Sequence, residues 1–184
     1  MTKVHAPIVF DDQILAGCIA GRPHYQKLLY NHFAPKMFGI CLRYASDYHN
    51  AEDILQEGFI KLFNNLHKFR SEGSFEGWLK RIFINTAIEF YRKAFNFSSL
   101  TLLDEWRTKS IDSNAGLQNL ATQDLLKVVQ KLPPGYRTVF NLYAIEGYSH
   151  KEIGEMLNIS DGTSKSQLAR ARHTLKDLLK KQQD

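Results

Sequence analysis

The sequence predicts an all-α protein of two small helical domains joined by a flexible linker. Apolar residues recur at helical spacing along most of the chain. No stretch alternates with period two for long enough to argue a strand. A polar segment of weak periodicity, 97–122, separates two periodic blocks. The expected boundaries are 11–96 for the first domain, 97–122 for the linker and 123–184 for the second.

The elements follow in order. Ile14, Leu15, Cys18 and Ile19 give a short apolar stripe, closed by Gly21 and Pro23. Leu28, Leu29, Phe33, Met37, Phe38, Cys41 and Leu42 keep the helical period, with Pro35 predicting a boundary or kink. Asn50 is expected to cap a third helix that buries Ala51, Ile54, Leu55, Phe59, Leu62, Phe63 and Leu66. After a break at Arg70–Ser74, Ser74 is placed to cap a helix with Phe75, Trp78, Leu79, Ile82, Phe83, Ala87 and Phe90 inward.

Within the linker a short helix is expected around Leu100–Trp106. In the second block Leu125, Val128, Val129 and Leu132 run into Pro133-Pro134-Gly135, which stops the helix, and Val139, Phe140, Leu142 and Tyr143 restart it.

The chain has 184 residues, 43% hydrophobic and 23% charged, which is a globular balance. Met1–Phe10 lacks the basic-then-apolar pattern of a signal peptide, and no apolar run is long enough to span a bilayer. The expectation is a cytoplasmic protein. Cys18 and Cys41 have no metal-type spacing and read as buried small hydrophobes.

The net charge is +5, and it is concentrated at one end. From Gly162 onward Lys165, Arg170, Arg172, Lys176, Lys180 and Lys181 face only Asp177 and Asp184. A cationic C-terminus fits a nucleic-acid partner.

That end also carries a motif. Ser149-His150-Lys151-Glu152 has capping-box spacing, Ile153 and Leu157 follow as an apolar side, and Asn158 sits where the chain must turn. Ser160 can cap a last helix whose Leu168, Ala171, Leu175, Leu178 and Leu179 face inward. Two helices, a tight turn and a basic second helix make a helix-turn-helix. On that second helix Thr163, Ser166, Gln167 and Arg170 share an outward face suited to base edges, with Ser160, Lys165 and Arg172 placed for nearby contacts, chiefly to phosphates. A plain helical hairpin would also present charge, but capping, turn chemistry and charge polarity agree on DNA.

The N-terminal block has two further faces. Asp53, Gln56, Glu57 and Ile60 fall on one side of a helix, with Lys61 beside them. On residue chemistry alone this is a solvated face with one stray apolar residue. Arg81, Asn85, Ile88, Glu89 and Arg92 form an outward stripe on the following helix, flanked by Thr86 and Lys93. Before it, Phe69 and Arg70 offer an aromatic and a cation beside Gly73, a pairing suited to unpaired bases. Core packing is the competing role for Phe69.

These constellations, in this order, resemble the sigma-70 family, and specifically its extracytoplasmic-function (ECF) class. NAEDILQEGFIKLF (Asn50 to Phe63) is similar to the segment that clamps a coiled coil of the polymerase's largest subunit. FEGWLKRIFINTAIEFYRK (Phe75 to Lys93) is similar to the −10 recognition and melting segment. Leu132 to Leu179 resembles the −35-binding domain.

The resemblance implies a sigma factor that directs core RNA polymerase to promoters. It makes Asp53, Gln56, Glu57, Ile60 and Lys61 polymerase-binding. It makes Phe69, Arg70, Arg81, Asn85, Thr86, Glu89, Arg92 and Lys93 the −10 surface, with Asn85 holding a base flipped from the strand. The −35 surface is then Ser160, Thr163, Lys165, Ser166, Gln167, Arg170 and Arg172. Implied partners are the polymerase coiled coil and flap, duplex DNA at −35, single-stranded DNA at −10 and, for many members, an anti-sigma factor. Ser164 departs from the pattern, standing where many members carry an apolar residue, and Asn158 replaces a common turn glycine.

Two other classes were weighed. One is a helix-turn-helix regulator that binds operator DNA without polymerase. The other is an enzyme acting on nucleic acid. The sequence has no phosphate-binding glycine loop, HExxH or GxSxG motif, and its seven histidines are scattered. No catalytic residue, cofactor or metal is expected.

Overall fold

The computed structural model describes residues 12–98 and 126–180. All regular structure there is helical, and it forms two domains. The first comprises α1 (Asp12–Ile19), α2 (Pro23–Tyr44), α3 (Tyr48–Asn65), a 3₁₀ turn (Leu66–Lys68) and α4 (Phe75–Ser98). The second comprises α5, whose described part is 126–130, then α6 (Pro134–Phe140), a π-helical turn (Asn141–Ile145), α7 (His150–Leu157) and α8 (Asp161–Lys180). The expected helix at Leu100–Trp106 lies outside the described residues.

In the first domain α2, α3 and α4 pack pairwise, and α1 lies on α2. Leu29, Met37, Cys41, Leu62, Leu79 and Phe83 are among its buried residues. Gly58 is what brings α3 so close to α4: a Cβ there would stand 2.4 Å from the Phe83 ring. Cys18 and Cys41 are both free and buried, and burial raises the two thiols, to about 11 and about 12.

Two boundary expectations need correction. α2 continues through Pro35, so the proline is not a boundary. The proline is on the exposed side, and Phe33, Met37 and Ile40 are buried on either side of it, so packing holds the helix across the lost hydrogen bond. The cap of α3 is Asp47 rather than Asn50: the Asp47 carboxylate accepts the Asn50 N–H at 2.8 Å. Asn50 Nδ2 instead donates to Ser46 Oγ at 2.7 Å and to Asp47 at 2.8 Å, tying the first turn to its own cap. Ser74 caps α4 as expected, accepting the Gly77 N–H at 3.0 Å.

In the second domain Val128, Val129, Leu132, Ala171 and Leu175 form one apolar cluster. Leu126, Val139, Leu142, Ile153, Leu157 and Leu168 belong to a larger cluster continuous with the first domain's core. Ser149 and Glu152 close a full capping box, and Asn158 ends α7 in the left-handed region, at φ 55° and ψ 47°. Ser160 caps α8, its hydroxyl accepting the Thr163 N–H at 3.0 Å.

Candidate nucleic-acid interface

The helix-turn-helix is held by short-range geometry. The Asn158 and Ile159 N–H groups both donate to the Gly154 carbonyl. A Cβ on Gly154 would lie 2.8 Å from the Ile159 carbonyl oxygen, so only glycine lets α7 and the turn approach this closely. The Ser149 hydroxyl and N–H donate to the Glu152 carboxylate at 2.7 and 2.8 Å, holding it below the ordinary carboxylate range.

The turn presents the outer flank of α8. Ser160, Lys165, Ser166, Arg170 and Arg172 are exposed, and Thr163 and Gln167 are half-buried. Several of these side chains are steadied locally. Lys165 pairs with Asp161 at 2.7 Å, Ser166 donates to the Thr163 carbonyl at 3.0 Å, and Arg170 reaches the Tyr136 hydroxyl at 3.4 Å. A phosphate can compete for the exposed ion pair because such pairs are weakly held.

Ser164, the departure from the apolar pattern, is 0% exposed and hydrogen-bonded. Its hydroxyl lies 2.9 Å from His150 Nδ1. The Tyr143 ring stacks on His150 with centroids 4.5 Å apart, and the Arg172 guanidinium sits 5.8 Å from the centre of the Tyr143 ring. A polar chain therefore links α8 to the start of α7 and to the π-helical turn. Its sequence signal was the unexpected serine itself.

In the first domain Asp53, Gln56 and Ile60 are exposed on one side of α3, with Glu57 and Lys61 half-buried beside them. Ile60 is 49% exposed, an apolar group on the face that also carries Asp53 and Glu57. Lys61 joins this face to the next one: its ammonium is 2.6 Å from Glu89 on α4 and 3.8 Å from Glu57. Sequence spacing did not foresee the Lys61–Glu89 link, since it depends on how α3 and α4 cross.

On α4 the stripe is only partly outward. Arg81, Asn85, Glu89 and Lys93 are exposed. Thr86 is not on an exposed flank: it is 1% exposed, and its hydroxyl donates to the Ile82 carbonyl at 2.8 Å. Ile88 is likewise 4% exposed, in the cluster shared by both domains. The Arg92 guanidinium donates to the Met156 carbonyl at the end of α7. Arg92 departs because α4 contacts α7, which a single helix's periodicity does not report, whereas Thr86 lies three and four residues from the inward Phe83 and Phe90. Arg70 is exposed, and Phe69 packs edge-on to Phe75 at 5.2 Å and against Trp78 at 5.3 Å, so it is part of an aromatic cluster.

Among the described residues no group of histidine, cysteine and acidic side chains could hold a metal ion, and no helix is long and apolar enough to cross a membrane.

With only helices as regular structure among the described residues, a capped helix-turn-helix in one domain and an exposed apolar residue on an acidic face in the other, the chain is a two-domain protein of the helix-turn-helix kind. Comparison with known proteins narrows this. The family described as sigma-70 region 2 matches residues 29–95, and the one described as sigma-70, region 4 matches residues 122–175. The chain is 32% identical over 177 residues to the ECF RNA polymerase sigma factor SigE of Mycolicibacterium smegmatis, covering 94% of this chain and 67% of that protein. It is 31% identical over 159 residues to the ECF RNA polymerase sigma factor SigW of Bacillus subtilis, covering 80% and 85%. The sigma factor RpoE of Bartonella quintana, solved in complex with the anti-sigma factor NepR, shares its fold: the TM-score is 0.55 at 24% identity, over 84% of this chain and 96% of that one.

The chain belongs to the sigma-70 family, in its ECF class. It is a sigma factor, directing RNA polymerase to promoter DNA, and not an operator-binding regulator that acts without polymerase. Sigma factors as a class are initiation factors rather than enzymes.

Proposed function

We propose that the work of this sigma factor divides between its domains, with residues 11–96 docking on core polymerase and capturing the −10 strand, 97–122 spanning, and 123–184 reading −35. The observation that carries the docking role is the α3 face. Asp53, Gln56 and Glu57 share the exposed side of α3 with a large exposed isoleucine, and acids beside an apolar anchor suit a basic coiled-coil partner.

Arg70, Arg81, Asn85, Glu89, Arg92 and Lys93 then face the −10 strand. Phe69 contributes through the aromatic cluster that shapes the loop, and Thr86 through fixing α4. At −35, Thr163, Ser166, Gln167 and Arg170 meet base edges, while Ser160, Lys165 and Arg172 meet phosphates. Base extrusion costs a few kcal/mol, and a pocket formed in advance couples recognition to melting. The chain contributes binding energy and no bond-making chemistry. It acts in the cytoplasm, where polymerase is, and an anti-sigma factor is a fitting partner because the RpoE relative is bound by one.

The test is binding to core RNA polymerase by wild type and by Asp53→Lys/Glu57→Lys. We expect tight wild-type binding that falls at least about a hundredfold in the variant, as loss and reversal of two interfacial charges would give. Equal binding by both folded proteins would move docking off α3.

A further inference from the structure

The contact between the domains combines the shared apolar cluster with a polar clasp at Glu146. Glu146 follows the π-helical turn of the second domain, and its side chain is only 3% exposed. Its two carboxylate oxygens are both taken by the first domain: Arg43 on α2 at 2.7 Å and Lys80 on α4 at 2.6 Å. Further hydrogen bonds cross beside or beyond it. Gln130 Nε2 donates to the Leu42 carbonyl at 2.9 Å, Asn141 Nδ2 donates to the Arg43 carbonyl at 2.6 Å, and Arg92 donates to Met156. The end of α2 is thus held by side chains of the second domain that serve no helix of their own.

Further buried polar atoms lie at the same junction. Arg43 Nε, Tyr44 Oη, Arg92 Nε, Arg137 Nε and Asn141 Oδ1 are buried without a hydrogen-bond partner in the protein. All five belong to residues at or next to these crossing contacts. A cavity of about 620 Å³ opens between the domains, lined by Met37, Ile40, Leu126, Val129 and Ile145. Burial lowers the Arg137 guanidinium to about 10, although Asp47 across the junction opposes the shift.

The closed arrangement conflicts with the sigma reading in one respect. Elements named −10 and −35 lie about 25 base pairs apart, or about 85 Å of duplex at 3.4 Å per pair. In the closed chain α4 touches α7, Ile88 is buried and Arg92 is occupied. The α3 face with Asp53, Gln56 and Ile60 stays exposed.

We propose that Glu146 is an intramolecular latch that holds the free chain closed on Arg43 and Lys80, covering part of the −10 surface while leaving the polymerase-docking face open. Polymerase can then engage the closed chain through α3, and separation of the domains releases the DNA surfaces only afterwards. The idea rests on the sigma reading for its consequence but not for the closure.

Small-angle scattering on the full chain tests closure directly. A compact chain of this length has a radius of gyration of about 16 Å, and two tethered but unpacked domains exceed about 20 Å. Wild type should be near the first value. Glu146→Lys and Arg43→Glu, which alter net charge in opposite directions, should each move to the second. Arg43→Glu/Glu146→Lys should return toward compactness, which an unfolded variant could not do. Core-polymerase affinity of Glu146→Lys should stay within about twofold of wild type, because α3 is exposed in both states. An extended wild type, or single variants as compact as wild type, overturns the latch. Failure of wild type to bind core polymerase would overturn the docking assignment and leave the scattering result standing.

Discussion

Gly154→Ala isolates the packing of the turn from the helix it ends. A Cβ there would meet the Ile159 carbonyl oxygen at 2.8 Å, well inside ordinary contact. The oxygen cannot swing away freely, because the Asn158 and Ile159 N–H groups are both tied to the Gly154 carbonyl. Forcing extra volume into such a contact costs about 1–3 kcal/mol. Alanine recovers about 1 kcal/mol of helix propensity, so the balance is a loss of about 1 kcal/mol. Gly162→Ala, in the first turn of α8, is the internal control. Its Cβ meets nothing nearer than Ser160 Oγ at 3.7 Å, so only the favourable effect on the unfolded chain remains, about 0.5 kcal/mol. Urea melts should therefore shift in opposite directions, by about 0.5 M down for Gly154→Ala and less than that up for Gly162→Ala. Duplex binding should weaken for Gly154→Ala along with its stability. Two shifts of the same sign would refute the close approach at the turn.

Ser149→Ala removes the capping box and should cost about 1 kcal/mol in the same melts. It should also change the acid limb. Because Glu152 is held below its unfolded value of about 4.3, its contribution is full above that pH and is lost as pH falls through the lowered folded value. Stability of Ser149→Ala should fall less steeply there, as acid melts at a series of pH values will show. His150→Leu leaves the buried Ser164 hydroxyl unpaired and should cost about 1–3 kcal/mol, with weaker −35 duplex binding. His150→Leu/Ser164→Ala, which removes both partners, should recover most of that loss in both measurements. No recovery would mean that His150 acts through Tyr143 alone.

What could be read from the sequence was what the chain settles within a few residues. The Ser74, Ser149 and Ser160 caps and the left-handed Asn158 are each fixed by neighbours no more than four positions away. The Asp47 cap was missed because Ser46, Asp47 and Asn50 all carry cap-capable groups, and only their mutual hydrogen bonds decide which one leads. Continuation through Pro35 depends on Phe33, Met37 and Ile40 being buried by other helices, which no local rule sees.

One misplaced site residue follows the same logic at longer range. Arg92 was put outside because helical spacing fixes only which residues share a face, not which neighbours later cover it. Here α4 has two covered sides, one against α2 and α3 and a second against α7. The second cover lies about sixty residues away in sequence, and the Arg43–Glu146 pair spans 103. A glutamate between Ile145 and Gly147 carries no pattern marking it as buried. Its role appears only when two cations of the other domain converge on it. The caps that bound the helices are therefore local and legible, whereas the polar groups that join the domains, Arg43, Lys80, Arg92, Gln130, Asn141 and Glu146, come from positions far apart in the chain.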